Sequence, residues 1–262
     1  MTEPRSAGST KTRARSKTEQ MRAERAAQAA RQKRNQRILT ALGGLVVLGL
    51  VVAIAFAVVN ASSADGGDNR ADGKVVVPAS VVDGAIPVGD EGAPVTVDLY
   101  FDYMCPACGA FEQRNAEDLN RLIEDGTAKI NLRMMNFLDP QSQGTEYSTR
   151  AGNAVATVAN DAPEAVWDFH NALYAKQPAE GTEGLSDEEI AQIATESGVP
   201  ADVADTFTGG TYDGWVAQSN EAAAKDGVNS TPTVMINGET FEGDWSQAGQ
   251  LAAAIEDAAK AP

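Results

Sequence analysis

The sequence predicts an α/β fold with a helical insertion, preceded by a single transmembrane helix. Three observations lead there. A strand pattern, Val95 to Phe101, runs straight into the tetrad Cys105-Pro106-Ala107-Cys108 and an amphipathic stretch. Strand signals recur at Lys129 to Met135, give way to a long block of helical periodicity, and return only at Thr233 to Phe241. Ile38 to Val59 is a run of 22 residues without a charge, rich in Leu, Val, Ile and Ala. At about 1.5 Å rise per residue such a run crosses a hydrocarbon core of roughly 30 Å.

Charge divides the chain as sharply as hydropathy does. The formal net charge is −16, yet residues 1 to 37 carry 11 Lys or Arg against 3 Glu, net +8, which leaves −24 for the remainder. Basic residues directly before the span, among them Arg31, Lys33, Arg34 and Arg37, predict a cytoplasmic N-terminus and an acidic domain outside. A cleaved signal peptide is the competing reading, because Ala55-Phe56-Ala57 and Val59-Asn60-Ala61 resemble small-residue cleavage sites. The apolar run exceeds the roughly 7 to 15 residues of such signals and follows a long basic leader, so an uncleaved signal-anchor is expected. The leader suits orientation and attraction to anionic lipid headgroups better than nucleic-acid binding, and no nucleic-acid partner is expected. The expected organisation is therefore a basic cytoplasmic tail at 1–37, a membrane-embedded helix at 38–59 in contact with lipid, a Ser, Asp and Gly linker at 60–74, and one domain at 75–262. The helical insertion falls at about 141–210.

Within that domain Val75 to Val77 and Ala85 to Val88 read as short edge strands. The helix after the tetrad should run from Pro106 to about Glu124 and stop at Asp125-Gly126, with Phe111, Leu119, Leu122 and Ile123 on its apolar side. Pro106 fits the first helical position, where a missing N–H costs nothing. Helices follow at Tyr147 to Asn160, Pro163 to Lys176, Ser186 to Ser197, Ala201 to Phe207 and Tyr212 to Asp226. Ser186-Asp187-Glu188-Glu189 has the form of a capping box. Thr233 to Ile236 and Glu239 to Phe241 flank Asn237-Gly238, a hairpin dipeptide, and Ser246 to Lys260 closes the chain as a helix.

Cys105 and Cys108 are the only two cysteines. Closing so short a ring removes little loop entropy, so stability is a poor reason for the pair. Structural zinc needs about four ligands, and two Cys with one His, His170, fall short, so no metal is expected. A helix N-terminus supplies unpaired N–H groups and partial positive charge that favour a thiolate, which makes Cys105 a nucleophile at neutral pH. Cys108, one turn in, should be more enclosed and less ionised.

Several stretches together resemble the thioredoxin fold with a helical insertion, and in particular DsbA-type and DsbG-like thiol:disulfide oxidoreductases. They are Ala93-Pro94-Val95-Thr96-Val97, Asp102 to Cys108, Trp167-Asp168-Phe169-His170, and Gly227 to Thr233. The likeness covers about residues 75 to 260. It implies that Cys105 attacks, that Cys108 resolves the mixed disulfide, and that Thr231-Pro232 is a cis-proline loop that faces the cysteines and binds substrate backbone. Thr231 would then lie beside the Cys105 sulfur, and the dipeptide Pro106-Ala107, which carries no positive charge, would tune the thiolate. Family members often carry an acidic residue six positions before the first Cys to move protons; here that position is Leu99. Strand alternation sends Asp98 and Asp102 to the opposite face. Asp98 becomes a candidate proton relay if the strand is shifted or bulged.

His170, Trp167, Phe169, Tyr174, Trp215 and Trp245 read as core, and Met104 and Met135 as core filling rather than a peptide-binding surface. The resemblance implies no metal or organic cofactor. It implies extracytoplasmic protein substrates and a membrane redox partner that recycles the pair; with no obvious extra dimerisation domain, a monomer is expected. Net oxidation of substrate dithiols is the favoured direction. A reductase or isomerase on the same fold, and an anchored binding domain without turnover, are the alternatives.

Overall fold

The structure, a computed structural model, describes residues 75–260. The tail, apolar span and linker expected at 1–74 lie outside the described residues. Among the described residues no helix is long and apolar enough to cross a membrane.

Five strands form one sheet in the order β1-β3-β2-β4-β5: β1 Ile86–Val88, β2 Val95–Phe101, β3 Ala128–Met134, β4 Thr233–Ile236 and β5 Glu239–Thr240. β2 pairs in parallel with β3, and the other pairings are antiparallel. The parallel pair needs a crossover, supplied by α1, Pro106–Glu124, which starts directly after the tetrad. Central β2 is covered on both faces. Val95, Val97, Leu99 and Phe101 enter the main core with Phe111, Leu119 and Leu122 of α1, while Tyr100 joins a smaller cluster with Met135, Ala223 and Val228.

Between β3 and β4 the chain is helical: α2 Tyr147–Asp161, α3 Val166–Ala175, α4 Asp187–Glu196, α5 Ala201–Ala204 and α6 Asp213–Lys225, with single 3₁₀ turns at Asp139–Gln141, Pro163–Ala165 and Phe207–Gly209. α7, Gln250–Ala259, ends the described chain and packs Leu251 and Ile255 into the main core. Ser186 caps α4 by accepting the Glu189 N–H at 3.2 Å, and the Glu189 carboxylate accepts the Ser186 N–H at 2.8 Å, a complete capping box. Val158, Phe169, Leu173, Ile190 and Ile193 of the insertion belong to the same apolar cluster as the sheet residues, so the core is continuous.

The expected elements shift in five places. Val75 to Val77 is not a strand; Val76 and Val77 are exposed and pair with nothing in the sheet. The second parallel strand lies one residue earlier than expected. The helix expected from Pro163 begins as a 3₁₀ turn and becomes α-helical at Val166, and the one expected from Ala201 is a single turn. The last helix begins at Gln250 rather than Ser246. Asp244 Oδ1 accepts both the N–H and the hydroxyl of Ser246, a local turn that competes with helix.

Candidate active site

Beyond Phe101 the chain turns through Asp102, Tyr103 and Met104 before α1 begins. Asp102 makes the turn: its Oδ1 accepts the Met104 N–H at 2.8 Å and its carbonyl accepts the Cys105 N–H at 3.0 Å. Cys105 is the N-cap, extended at φ −70° and ψ 117°. Its carbonyl takes the first helical bond, from Gly109 N–H at 3.1 Å. Pro106 follows as the first helical residue and contributes no N–H; its side chain and that of Ala107 are exposed and uncharged.

The two sulfurs are unlike. Cys105 is 8% exposed and Cys108 1%, so the sulfur a macromolecule can meet is that of Cys105. The Cys105 thiol is pushed down to about 6 because the Cys108 thiol donates to it, helped by Thr231 and by the N–H groups of Cys108 and Ala107; burial opposes the shift. Cys108 is pushed up, first by burial and then by the hydrogen bond its thiol donates to the Cys105 sulfur. One thiolate and one thiol, sharing a hydrogen bond, are the stable pair near neutral pH.

β4 carries the second loop to the same place. Its antiparallel register with β2, Tyr100 opposite Thr233, delivers Thr231-Pro232 to the start of α1. The Thr231–Pro232 peptide bond is cis, and the Thr231 carbonyl oxygen lies 3.6 Å from Cys105 Sγ.

From the far side, the insertion grips the turn. Buried Asp102 accepts the Ser148 hydroxyl of α2 at 2.7 Å and the Leu138 N–H at 2.9 Å. Burial pushes its carboxyl up to about 6 even so. The Tyr174 hydroxyl donates to the Asp102 carbonyl at 3.1 Å, and Gln177 Nε2 donates to the carbonyls of Tyr103 at 3.1 Å and Cys105 at 2.8 Å. Beneath them runs a buried chain: the Tyr103 hydroxyl meets His170 Nδ1 at 3.0 Å, and His170 Nε2 meets Glu112 Oε1 at 3.2 Å.

The thioredoxin family model matches residues 82–257. The chain belongs to the thioredoxin family. A solved structure of the reduced disulfide bond oxidoreductase DsbG from Mycobacterium tuberculosis is 30% identical, with a TM-score of 0.60 over 68% of this chain and 88% of that one. Oxidised DsbA from M. tuberculosis is 30% identical, with a TM-score of 0.59 over 68% of this chain and 93% of the other. The chain is also 32% identical over 167 residues to the serine/threonine-protein kinase PknE of M. tuberculosis. That stretch is 60% of this chain and only 29% of the kinase. With its likeness to DsbA and DsbG, this thioredoxin-family protein is an enzyme, a thiol–disulfide oxidoreductase.

In the thioredoxin-family site, Cys105, Cys108, Pro106, Ala107, Thr231 and Pro232 come together as a group. Asp98 does not join them. The register of β2 runs unbroken through Val97 opposite Ile130, Asp98 opposite Asn131 and Leu99 opposite Leu132, so the bulge that would have turned Asp98 toward the cysteines is absent. Its carboxylate is taken by Arg133 Nε at 2.7 Å and Asn131 Nδ2 at 3.1 Å. Asp102 escapes strand alternation because it stands past the strand end, inside the turn. Met104 and Met135 are buried, as is His170.

Sequence reasoning missed the grip on the turn: Asp102, Ser148, Tyr174, Gln177 and the Glu112–His170 pair. Asp three residues before the N-cap is a turn signal that could have singled out Asp102. Tyr174 and Gln177 bond to main-chain carbonyls more than 70 positions away in sequence and leave no pattern to read.

Proposed function

We propose that this thioredoxin-family enzyme oxidises dithiols of proteins outside the cytoplasm to disulfides. The opposite displacement of its two thiols, Cys105 down to about 6 and Cys108 up, is the observation that carries this reading. In the oxidised enzyme a substrate thiolate attacks Cys105 Sγ; the Cys105–Cys108 bond breaks and Cys108 leaves with the electron pair and takes a proton. A second substrate thiolate then attacks the substrate sulfur of the mixed disulfide, forming the substrate disulfide and releasing Cys105 as a thiolate. The substrate loses two electrons, and the enzyme pair gains them. A stabilised Cys105 thiolate is a good leaving group in the second step and favours the reduced enzyme, which makes the disulfide form an oxidant.

Thr231 and Pro232 offer main chain beside Cys105 on which an extended substrate backbone can lie, and uncharged Pro106-Ala107 moderates the oxidising power. Residues 38–59 anchor the enzyme, with 1–37 in the cytoplasm, 60–74 as linker, and the domain from 75 outside. A membrane redox partner then reoxidises the pair. Equilibration with glutathione tests the direction: a potential between about −120 and −200 mV is expected, whereas one near the roughly −270 mV of thioredoxin makes the enzyme a reductant. Alkaline extraction of cell membranes tests the anchor, which fails if the chain is released.

A further inference from the structure

Gly109, the fourth residue of α1, stands directly after Cys108. Glycine is unfavourable within a helix relative to alanine, because it gives up more backbone freedom on folding. The backbone does not demand it here, since Gly109 is absent from the residues with positive φ. Space does. A Cβ on Gly109 would lie 3.0 Å from Cδ and 3.4 Å from Nε2 of Gln177 and would overlap its Oε1.

The carboxamide that fills this space is the one that spans the turn, Nε2 donating to the carbonyls of both Tyr103 and Cys105. Gln177 is itself held from behind. Its N–H donates to the Tyr174 carbonyl at 3.2 Å at the end of α3, and the Tyr174 hydroxyl reaches the Asp102 carbonyl. The carbonyls of Asp102, Tyr103 and Cys105 are thus all bonded from one short stretch of the insertion. The Cys105 carbonyl is shared between Gln177 and the first helical N–H, so the amide holds the Cys105–Pro106 peptide at the start of the turn whose Ala107 and Cys108 N–H groups face the Cys105 sulfur.

We infer that Gly109 and Gln177 form a latch, a missing side chain on α1 that admits an amide from the insertion, with Gln177 as a positioning residue that holds the first turn of α1 in the geometry that stabilises the Cys105 thiolate. This rests on the reading of Cys105 as the exchanging sulfur. The latch accounts for a helix-weakening glycine beside the resolving cysteine, and it couples the insertion to the chemistry through main-chain atoms alone. The Gln177 carboxamide is the end of a flexible side chain, so a methyl group at position 109 displaces the amide rather than the helix.

The test is a double-mutant cycle on the full-length reduced chain in detergent, with thiolate absorbance near 240 nm followed against pH and exchange with a reduced dithiol peptide measured alongside. Gly109→Ala and Gln177→Ala are each expected to raise the Cys105 pKa by about one unit, a tenfold fall in acid dissociation. The double variant should go no further than the larger single, because the methyl group has nothing left to displace. Gln177→Glu, of the same shape but without the donor and with a negative charge, should raise it more than Gln177→Ala. The latch is overturned if both alanine variants titrate as the parent does, or if their effects add in the double. Should Gly109→Ala fail to fold, an unchanged titration in both Gln177 variants overturns it equally. Failure of the functional reading looks different: the parent chain would not exchange with the peptide, whereas the titrations would still report on the latch.

Discussion

The sheet frame and the helical insertion divide the work of this enzyme unevenly. β2, α1 and β4 bring the sulfurs and the cis-proline loop together, and they do so through short segments whose residues announce their roles. Among the described residues the insertion makes no hydrogen bond to either sulfur, yet Ser148, Tyr174 and Gln177 make four hydrogen bonds to the turn that presents Cys105. The difference teaches that reactive atoms and their placement are encoded at different ranges. Reactivity follows from a local motif at a helix start. Placement follows from buried polar contacts that are costly to leave unmade.

The largest expected effect lies wholly in the frame. Cys105→Ser should abolish exchange and form no mixed disulfide, while Cys108→Ser should accumulate one with substrate, read on non-reducing gels; residual turnover in Cys105→Ser would move the chemistry elsewhere. Next comes the joint between the two regions. Asp102→Ala strands the Met104 and Leu138 N–H groups and the Ser148 hydroxyl, a cost of roughly 3 kcal/mol at about 1 kcal/mol or more for each buried orphan. Urea unfolding measures it, and a loss below 1 kcal/mol would reduce the insertion to packing.

Asp102 also carries a pH signature. Its folded pKa of about 6 lies above the ordinary 3.8, so between these values the native state holds more protons than the unfolded one. The contribution of this group therefore favours folding below about pH 4 and is lost as pH rises through 6. Asp102→Asn should remove that slope from stability measured across pH 4 to 7, and an unchanged slope would assign it to other groups. The smallest effect is expected at Tyr174→Phe, which deletes one donor to the Asp102 carbonyl and should cost about 1 kcal/mol with Cys105 still reactive.

Much of the frame was legible before the structure. β2 and β4 occupy the expected Val95–Phe101 and Thr233–Ile236, and α1 runs from Pro106 to Glu124, because periodicity, a proline at the helix start and Asp125-Gly126 at its end all act locally. The Asn237-Gly238 turn is equally local: both residues have positive φ, 51° and 83°, as this tight hairpin requires. Val75 to Val77 shows the limit. β-branched residues favour strands only when a neighbouring strand and a face to bury are available; these find no partner strand, and only Val75 packs against the core. The surroundings of Asp98 were hidden for a related reason, since Arg133 and Asn131, both on β3, become its neighbours only through sheet register. Gln177 lies further still beyond local reading, because it addresses peptide carbonyls that every residue has.

That last property has an evolutionary consequence. Because the insertion recognises the backbone at Asp102, Tyr103 and Cys105 and ignores what is exposed at Pro106 and Ala107, the two outward residues are free to vary without loosening the scaffold. Descendants of this chain could exchange that dipeptide and keep the turn, while a Cys-Pro-Ala-Cys segment transplanted into a host without the distant amide and phenol would keep its sulfurs and lose the bonds that hold them in place.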